Sequence, residues 1–184
     1  GLLCLLVVVC GAAIRLLRNF VETVEIIGVE ISKTHLQVAR QLFGIKKYMA
    51  TLHHADAVKW LQEYDGPPFD FIIDDLFGNE DDVERAVPAD APWCNTLLSH
   101  LNKNGMLVMN FIGSKALKQS ACFSDPNVSR YFKSFFQLSL PAYQNAIGVF
   151  IGAPSSSKLL HKHLLNAPEL SQKPLGFKLR TLTK

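Results

Sequence analysis

Five apolar runs of strand length, most of them followed by a stretch with helical spacing, constrain this chain more than any other feature. Leu2 to Val9 is a continuous aliphatic run with one Cys, the pattern of a central parallel strand covered on both faces. The small residues Gly11-Ala12-Ala13 permit a tight turn into a short helix, Ile14 to Phe20, with Arg15 and Arg18 on its wet side. Thr23 to Ile31 reads as a second strand, and Ser32 caps a helix from Lys33 to Phe43 that Gly44 closes. Tyr48 to His53 is the third strand; Asp56 then opens a helix through Val58, Trp60 and Leu61, which Asp65-Gly66-Pro67-Pro68 ends. Phe69 to Asp75 is the fourth strand and Met106 to Phe111 the fifth, with an acidic loop (Gly78 to Asp82) and a helix (Trp93 to Leu101) between them. Asp125 to Phe135 is predicted helical, with Pro126 in its first turn, and Gln137 to Leu140 pairs with Ala146 to Ile151 as a closing hairpin.

Strands alternating with helices in this way imply a Rossmann-like α/β fold. The expected form is a doubly wound, mostly parallel seven-stranded sheet with a C-terminal antiparallel hairpin and helices on both faces. The 184 residues, 48% hydrophobic, suffice for one core. We assign residues 1–154 to this domain and 155–184 to a C-terminal helix (Lys158 to Leu165) with a poorly ordered basic tail. The opening run has no basic segment before it and is shorter than the roughly 20 residues of a membrane-spanning helix, so it reads as a buried strand of a cytoplasmic protein. The chain starts on Gly1 and enters that strand at once, as a piece trimmed from a longer protein would.

The net charge of +3 is scattered, densest from Lys173 to Lys184, and forms no helical stripe of the kind that binds nucleic acid. Cys4, Cys10, Cys94 and Cys122 lie far apart in sequence without a CxxC pair and read as reduced. His53 and His54, adjacent in a strand, face opposite ways, so neither they nor the cysteines predict a metal.

Sheets of this kind bind ligands beyond the carboxyl ends of their strands, where strand order reverses. Gly11 lies in the first turn, where backbone N–H groups and a helix start approach a ligand. Glu30 ends the second strand about 20 residues later, where a carboxylate accepts both hydroxyls of a ribose; a solvated strand end is the alternative. Asp56 suits either an adenine amino group or the cap of its own helix. Asp74 and Asp75 point to opposite faces at the end of the fourth strand, and either can hold an amine or accept its proton, unless the pair only terminates a buried strand. Phe77 and Trp93 suit pocket lining or packing.

Together Gly28-Val29-Glu30-Ile31, His54-Ala55-Asp56-Ala57, the run Phe69 to Asp75 and Gly105-Met106-Leu107 resemble the spermidine synthase-like branch of the class I S-adenosylmethionine-dependent methyltransferase superfamily, over roughly residues 3 to 152. The resemblance implies S-adenosylmethionine, or its decarboxylated form, as cofactor. It implies cofactor contacts at Gly11, Glu30 (ribose), Ile31, Asp56 (adenine), Ala57 and Asp75, and catalysis by Asp75 with Asp74. The reaction it implies is methyl or aminopropyl transfer to a small-molecule amine, in a homodimer without metal or membrane. Three departures stand against a full match. Val8, Cys10 and Ala12 stand where that family has glycines; Asp75-Leu76-Phe77-Gly78-Asn79 replaces its Asp-Ser-Ser-Asp-Pro, so that Gly78 stands for the second catalytic Asp; and its N-terminal β-hairpin domain is absent from this chain. They favour the alternative of a catalytically degenerate binding or scaffold protein. A nicotinamide-dependent oxidoreductase shares the logic of the first half, but its fingerprint needs more glycines.

Overall fold

The computed structural model describes residues 1–7, 11–20, 24–46, 48–77, 85–165 and 176–184. Alternation along the first strand, β1 (Leu2–Leu6), sets up two core layers: Cys4 and Leu6 face one, Leu3 and Leu5 the other. β1 is shorter than its apolar run, because the chain turns at Val7, whose φ is 81°. Val8 and Cys10 lie outside the described residues. Helix α1 (Ala12–Arg18) follows; Arg15 is exposed, whereas Arg18 is half-buried and donates to the carbonyls of Val24 and Met49. β2 (Glu25–Glu30) leads to α2 (Lys33–Gln41), where the Ser32 hydroxyl accepts from His35 N and Leu36 and Ala39 are buried. β3 (Thr51–His54), α3 (Ala57–Glu63) and β4 (Phe69–Asp74) complete the first half.

The second half contains α4 (Ala91–Ser99), β5 (Leu101–Ile112), α5 (Gly113–Gln119), α6 (Ala121–Ser124), α7 (Pro126–Ser129), β6 (Ser134–Ser139), β7 (Asn145–Ile151), α8 (Ser157–Leu165) and β8 (Lys178–Thr181). Among the described residues the strands form one sheet in the order β3-β2-β1-β4-β5-β7-β6-β8. The pairs from β3 through β5 are parallel, and β7 runs antiparallel to both β5 and β6. The Rossmann-like fold and the closing hairpin are therefore present, with order reversing between β1 and β4.

Two expectations are corrected. Among the described residues the sheet has eight strands, because Lys178–Thr181 of the supposed loose tail pairs antiparallel with β6. Lys178 and Arg180 give this edge strand the charged side chains that discourage pairing with another chain. The helix expected over Asp125 to Phe135 is only α7. Asp125 does cap it, but residues 134–139 pair with β7 along their whole length, and that ladder, with Phe136 fully buried, overrides helical spacing. The chain missed by this reading, Gly113 to Ser124, forms α5 and α6. The acidic loop Gly78 to Asp82 and the tail's start at Lys173 lie outside the described residues. Among the described residues no helix is long and apolar enough to cross a membrane, and no cluster of three or more His, Cys, Asp or Glu is placed to hold a metal.

Candidate functional site

The last paired row across the switch point is Val29, Leu6 and Asp74, one residue from each of β2, β1 and β4. Glu30, Val7 and Asp75 come one step later, held there by Val7 N donating to Val29 O (2.9 Å) and Asp75 N to Leu6 O (3.2 Å). With strands about 4.8 Å apart, the backbones of Glu30 and Asp75 flank β1 at a separation of about 10 Å. Both side chains point to the layer that holds α1 and α2, by alternation from Ile26 on β2 and from Phe71 and Ile73 on β4.

Glu30 is 2% exposed. Its Oε1 accepts from Ser32 N at 2.9 Å, and its Oε2 lies 3.5 Å from His35 Nδ1. These contacts hold the carboxylate at the C-terminal end of β2, beside the start of α2. Ile31 follows it, exposed. His54 Nε2 lies 3.0 Å from the Ile31 carbonyl and fastens the ends of β2 and β3 together. Asp56 is the N-cap of α3, accepting from Lys59 N at 3.0 Å, and Ala57 is buried directly behind it.

Gly11 is the N-cap of α1 at φ 89°, and a side chain there would place its Cβ 2.7 Å from Ile45 Cγ1. Its demand for glycine is thus set by φ and by packing against the residues after α2. Val7 is the opposite case. A β-branched residue in the left-handed region carries about 1–2 kcal/mol of backbone strain. The turn keeps a conformation suited to glycine while its sequence does not supply one.

The two aspartates at the end of β4 occupy different environments. Asp74 is fully buried on the α3/α4 side and wholly engaged. Arg85 Nη2 reaches both its oxygens at 2.8 and 2.7 Å, Trp93 Nε1 donates at 2.8 Å, and Leu76 N at 3.2 Å. Arg85 also donates to Val87 O and Asn110 O and lies over the rings of Phe77 and Phe111, while a single bridge pairs Phe77 with Arg85. Trp93 and Phe77 thus serve this cluster.

Asp75 is half-buried and accepts from Asn110 Nδ2 at 2.9 Å; Asn110 Oδ1 in turn accepts from Asn145 Nδ2 at 3.0 Å. Burial pushes the Asp75 carboxyl above its ordinary value and neighbouring Asp74 adds to this, while the Asn110 bond and Arg85 oppose it.

Solved structures share this architecture at low sequence identity. A human methyltransferase-like protein 13, solved in complex with SAH, matches with a TM-score of 0.72 and 18% identity, covering 94% of this chain and 82% of its own. A probable spermidine synthase from Corynebacterium glutamicum gives 0.75 and 14%, covering 98% of this chain and 66% of its own. The chain has the class I S-adenosylmethionine-dependent methyltransferase fold, in which spermidine synthase-like proteins are included. A spermidine synthase in complex with the transition-state analogue AdoDATO matches with a TM-score of 0.63 and 12% identity over 86% of this chain, which spans 55% of that protein. No family model and no curated protein matches the sequence.

On this methyltransferase fold, the Asp75–Asn110–Asn145 chain leads into a cavity of about 500 Å³. Asn110, Asn145, Tyr143, Leu138, Ile147 and Phe177 line much of it. Asn110, Ile147 and Leu138 are cross-strand neighbours on β5, β7 and β6, so one sheet face forms its floor. The sequence reading missed Arg85, Asn110 and Asn145. Asn110 carried a signal, an amide near the end of an otherwise apolar strand.

Proposed function

We propose that this chain is a transferase using S-adenosylmethionine or its decarboxylated form as donor and moving a methyl or aminopropyl group to a small amine. The observation that carries this reading is the row of Glu30, Val7 and Asp75 at the strand ends, with the two carboxylate-bearing residues flanking β1 on either side of the switch point, their backbones about 10 Å apart. Glu30 would hold the ribose, Asp56 and Ala57 would border the adenine, and Gly11 the start of α1. A sulfonium donor bound there supplies an electrophilic carbon with a neutral thioether as leaving group.

The chain's own residues supply position and charge. Asp75 draws an ammonium group from solvent and accepts its proton, which frees the nitrogen lone pair for the new N–C bond. Its raised pKa suits it to that exchange better than an ordinary surface carboxylate. Asn110, anchored by Asn145, fixes the carboxylate's orientation. Asp74 takes no proton in this scheme, since Arg85, Trp93 and Leu76 engage it, and it is a positioning residue. The cavity beyond Asn110 receives the body of the acceptor. Orientation of the two reactants supplies most of the rate.

The experiment is calorimetric titration with S-adenosylmethionine, its decarboxylated form and methylthioadenosine, beside Glu30→Ala. Micromolar binding lost in Glu30→Ala supports the donor site, and preference for the decarboxylated form selects aminopropyl transfer. The strained Val7 in a glycine-poor turn favours a second reading, a binding or scaffold protein that has lost catalysis. A folded chain that gives no heat with any of the three ligands establishes that reading over the first.

A further inference from the structure

We propose that Cys94 and Cys122 form a redox-modification site, a buried dithiol that oxidation closes into a disulfide stapling α4 to α6. The two residues are 28 positions apart on different helices, yet their sulfurs lie 2.7 Å from one another and both side chains are fully buried. The bonded distance is about 2.05 Å, so closure asks for a sulfur shift of less than about 1 Å. The surrounding packing already holds the helices together: Ala121 N, at the head of α6, donates to Ala89 O just before α4 at 2.8 Å. Met109 Sδ on β5 lies 3.8 Å from Cys122 Sγ and closes the pocket from the sheet side. Trp93, the neighbour of Cys94, holds Asp74, so the staple sits directly behind the buried cluster at the end of β4.

The chemistry balances with a disulfide oxidant such as oxidised glutathione. One cysteine, as thiolate, attacks the oxidant and expels one reduced thiol; the second cysteine displaces the other, and two protons and two electrons leave the pair. Burial lifts the Cys122 thiol well above its ordinary value and excludes the oxidant, which makes exchange slow in both directions. The site is therefore a persistent staple, set during folding or a rare opening.

The test uses the whole chain, refolded with oxidised glutathione or with dithiothreitol, then unfolded and alkylated before mass spectrometry. We expect the oxidised sample to lose the mass of two hydrogens, with one peptide pair joined through Cys94 and Cys122, and Cys4 alkylated. The loop closed by the bond should raise Tm by about 10 °C, an increase lost once the oxidised sample is unfolded and refolded with dithiothreitol. Cys94→Ser should abolish both effects; the two wild-type samples decide the matter even if that variant folds poorly. Full alkylation of both residues after oxidation, a stable glutathione adduct instead of a cross-link, or a cross-link that leaves Tm unchanged overturns the proposal.

Discussion

Replacing Arg85 with Ala tests the organisation of the site at its most buried point. Asp74 is 0% and Arg85 9% exposed at the side chain, and the guanidinium reaches both carboxylate oxygens within 2.8 Å. The substitution leaves a buried carboxylate with only Trp93 Nε1 and Leu76 N, and it deprives the carbonyls of Val87 and Asn110 of their donor. Removing one partner of such a pair costs about 3–5 kcal/mol, because the remaining charge stays in a medium that solvates it poorly. In a domain of this size that corresponds to a fall in Tm of about 10 °C or more. Urea titration followed by circular dichroism measures it. The double variant Asp74→Leu with Arg85→Met separates charge from packing, since it leaves no unpaired ion and should lose much less than the two single changes together. Arg85→Ala within about 1 kcal/mol of the parent, or strict additivity in the double variant, would refute the argument.

Other predictions follow from single residues. Asp75→Asn should abolish transfer in an assay with radiolabelled donor while leaving donor affinity within a few-fold. Its stability effect has a definite sign: the raised folded-state pKa means stability falls as pH rises from the unfolded value, about 3.9, through the folded one. The variant should therefore gain on the parent between pH 4 and pH 7 in urea midpoints, and no gain contradicts the assignment. Val7→Gly should unfold at a higher urea concentration than Val7→Ala, the reverse of the usual order, because only glycine relieves φ 81°. Gly11→Ala should cost about 3 kcal/mol by calorimetry, from its φ of 89° and the 2.7 Å approach to Ile45; a loss under about 1 kcal/mol means that the turn relaxes freely.

The parallel half of the fold was legible because each strand is an apolar run bounded by turn chemistry. Ser32 and Asp56 act as the caps that their positions suggest, and Gly44 has the positive φ of a helix stop. Features that depend on a distant partner were not legible. β8 is a four-residue segment with alternating charge, given its shape by β6. Arg85 sits in a polar stretch where nothing local distinguishes it from a solvated side chain; only folding brings it to Asp74, 11 positions earlier. The meeting of Cys94 and Cys122 likewise depends on how α4 and α6 pack.

Asp74 and Asp75 show how far local pattern reaches. Alternation alone sends their side chains to opposite faces, and that follows from the strand period. Which of them is available to a substrate is decided by what each face holds. On the α3/α4 side a cation, an indole and a backbone N–H surround Asp74, which holds β4, Arg85 and α4 in register. On the other side Asp75 meets two amides in series, Asn110 and Asn145, which themselves line the cavity; the proposed substrate nitrogen would reach it from there. The neighbouring charge bears on it as well: Asp74 raises the proton affinity of Asp75, and Arg85, by binding Asp74 and the Asn110 backbone carbonyl together, limits that rise and ties the β5 backbone at Asn110 to the same cluster. A single buried arginine thus couples the stability of the sheet end to the orientation of the carboxylate proposed to do the chemistry, and damage to either should appear in both.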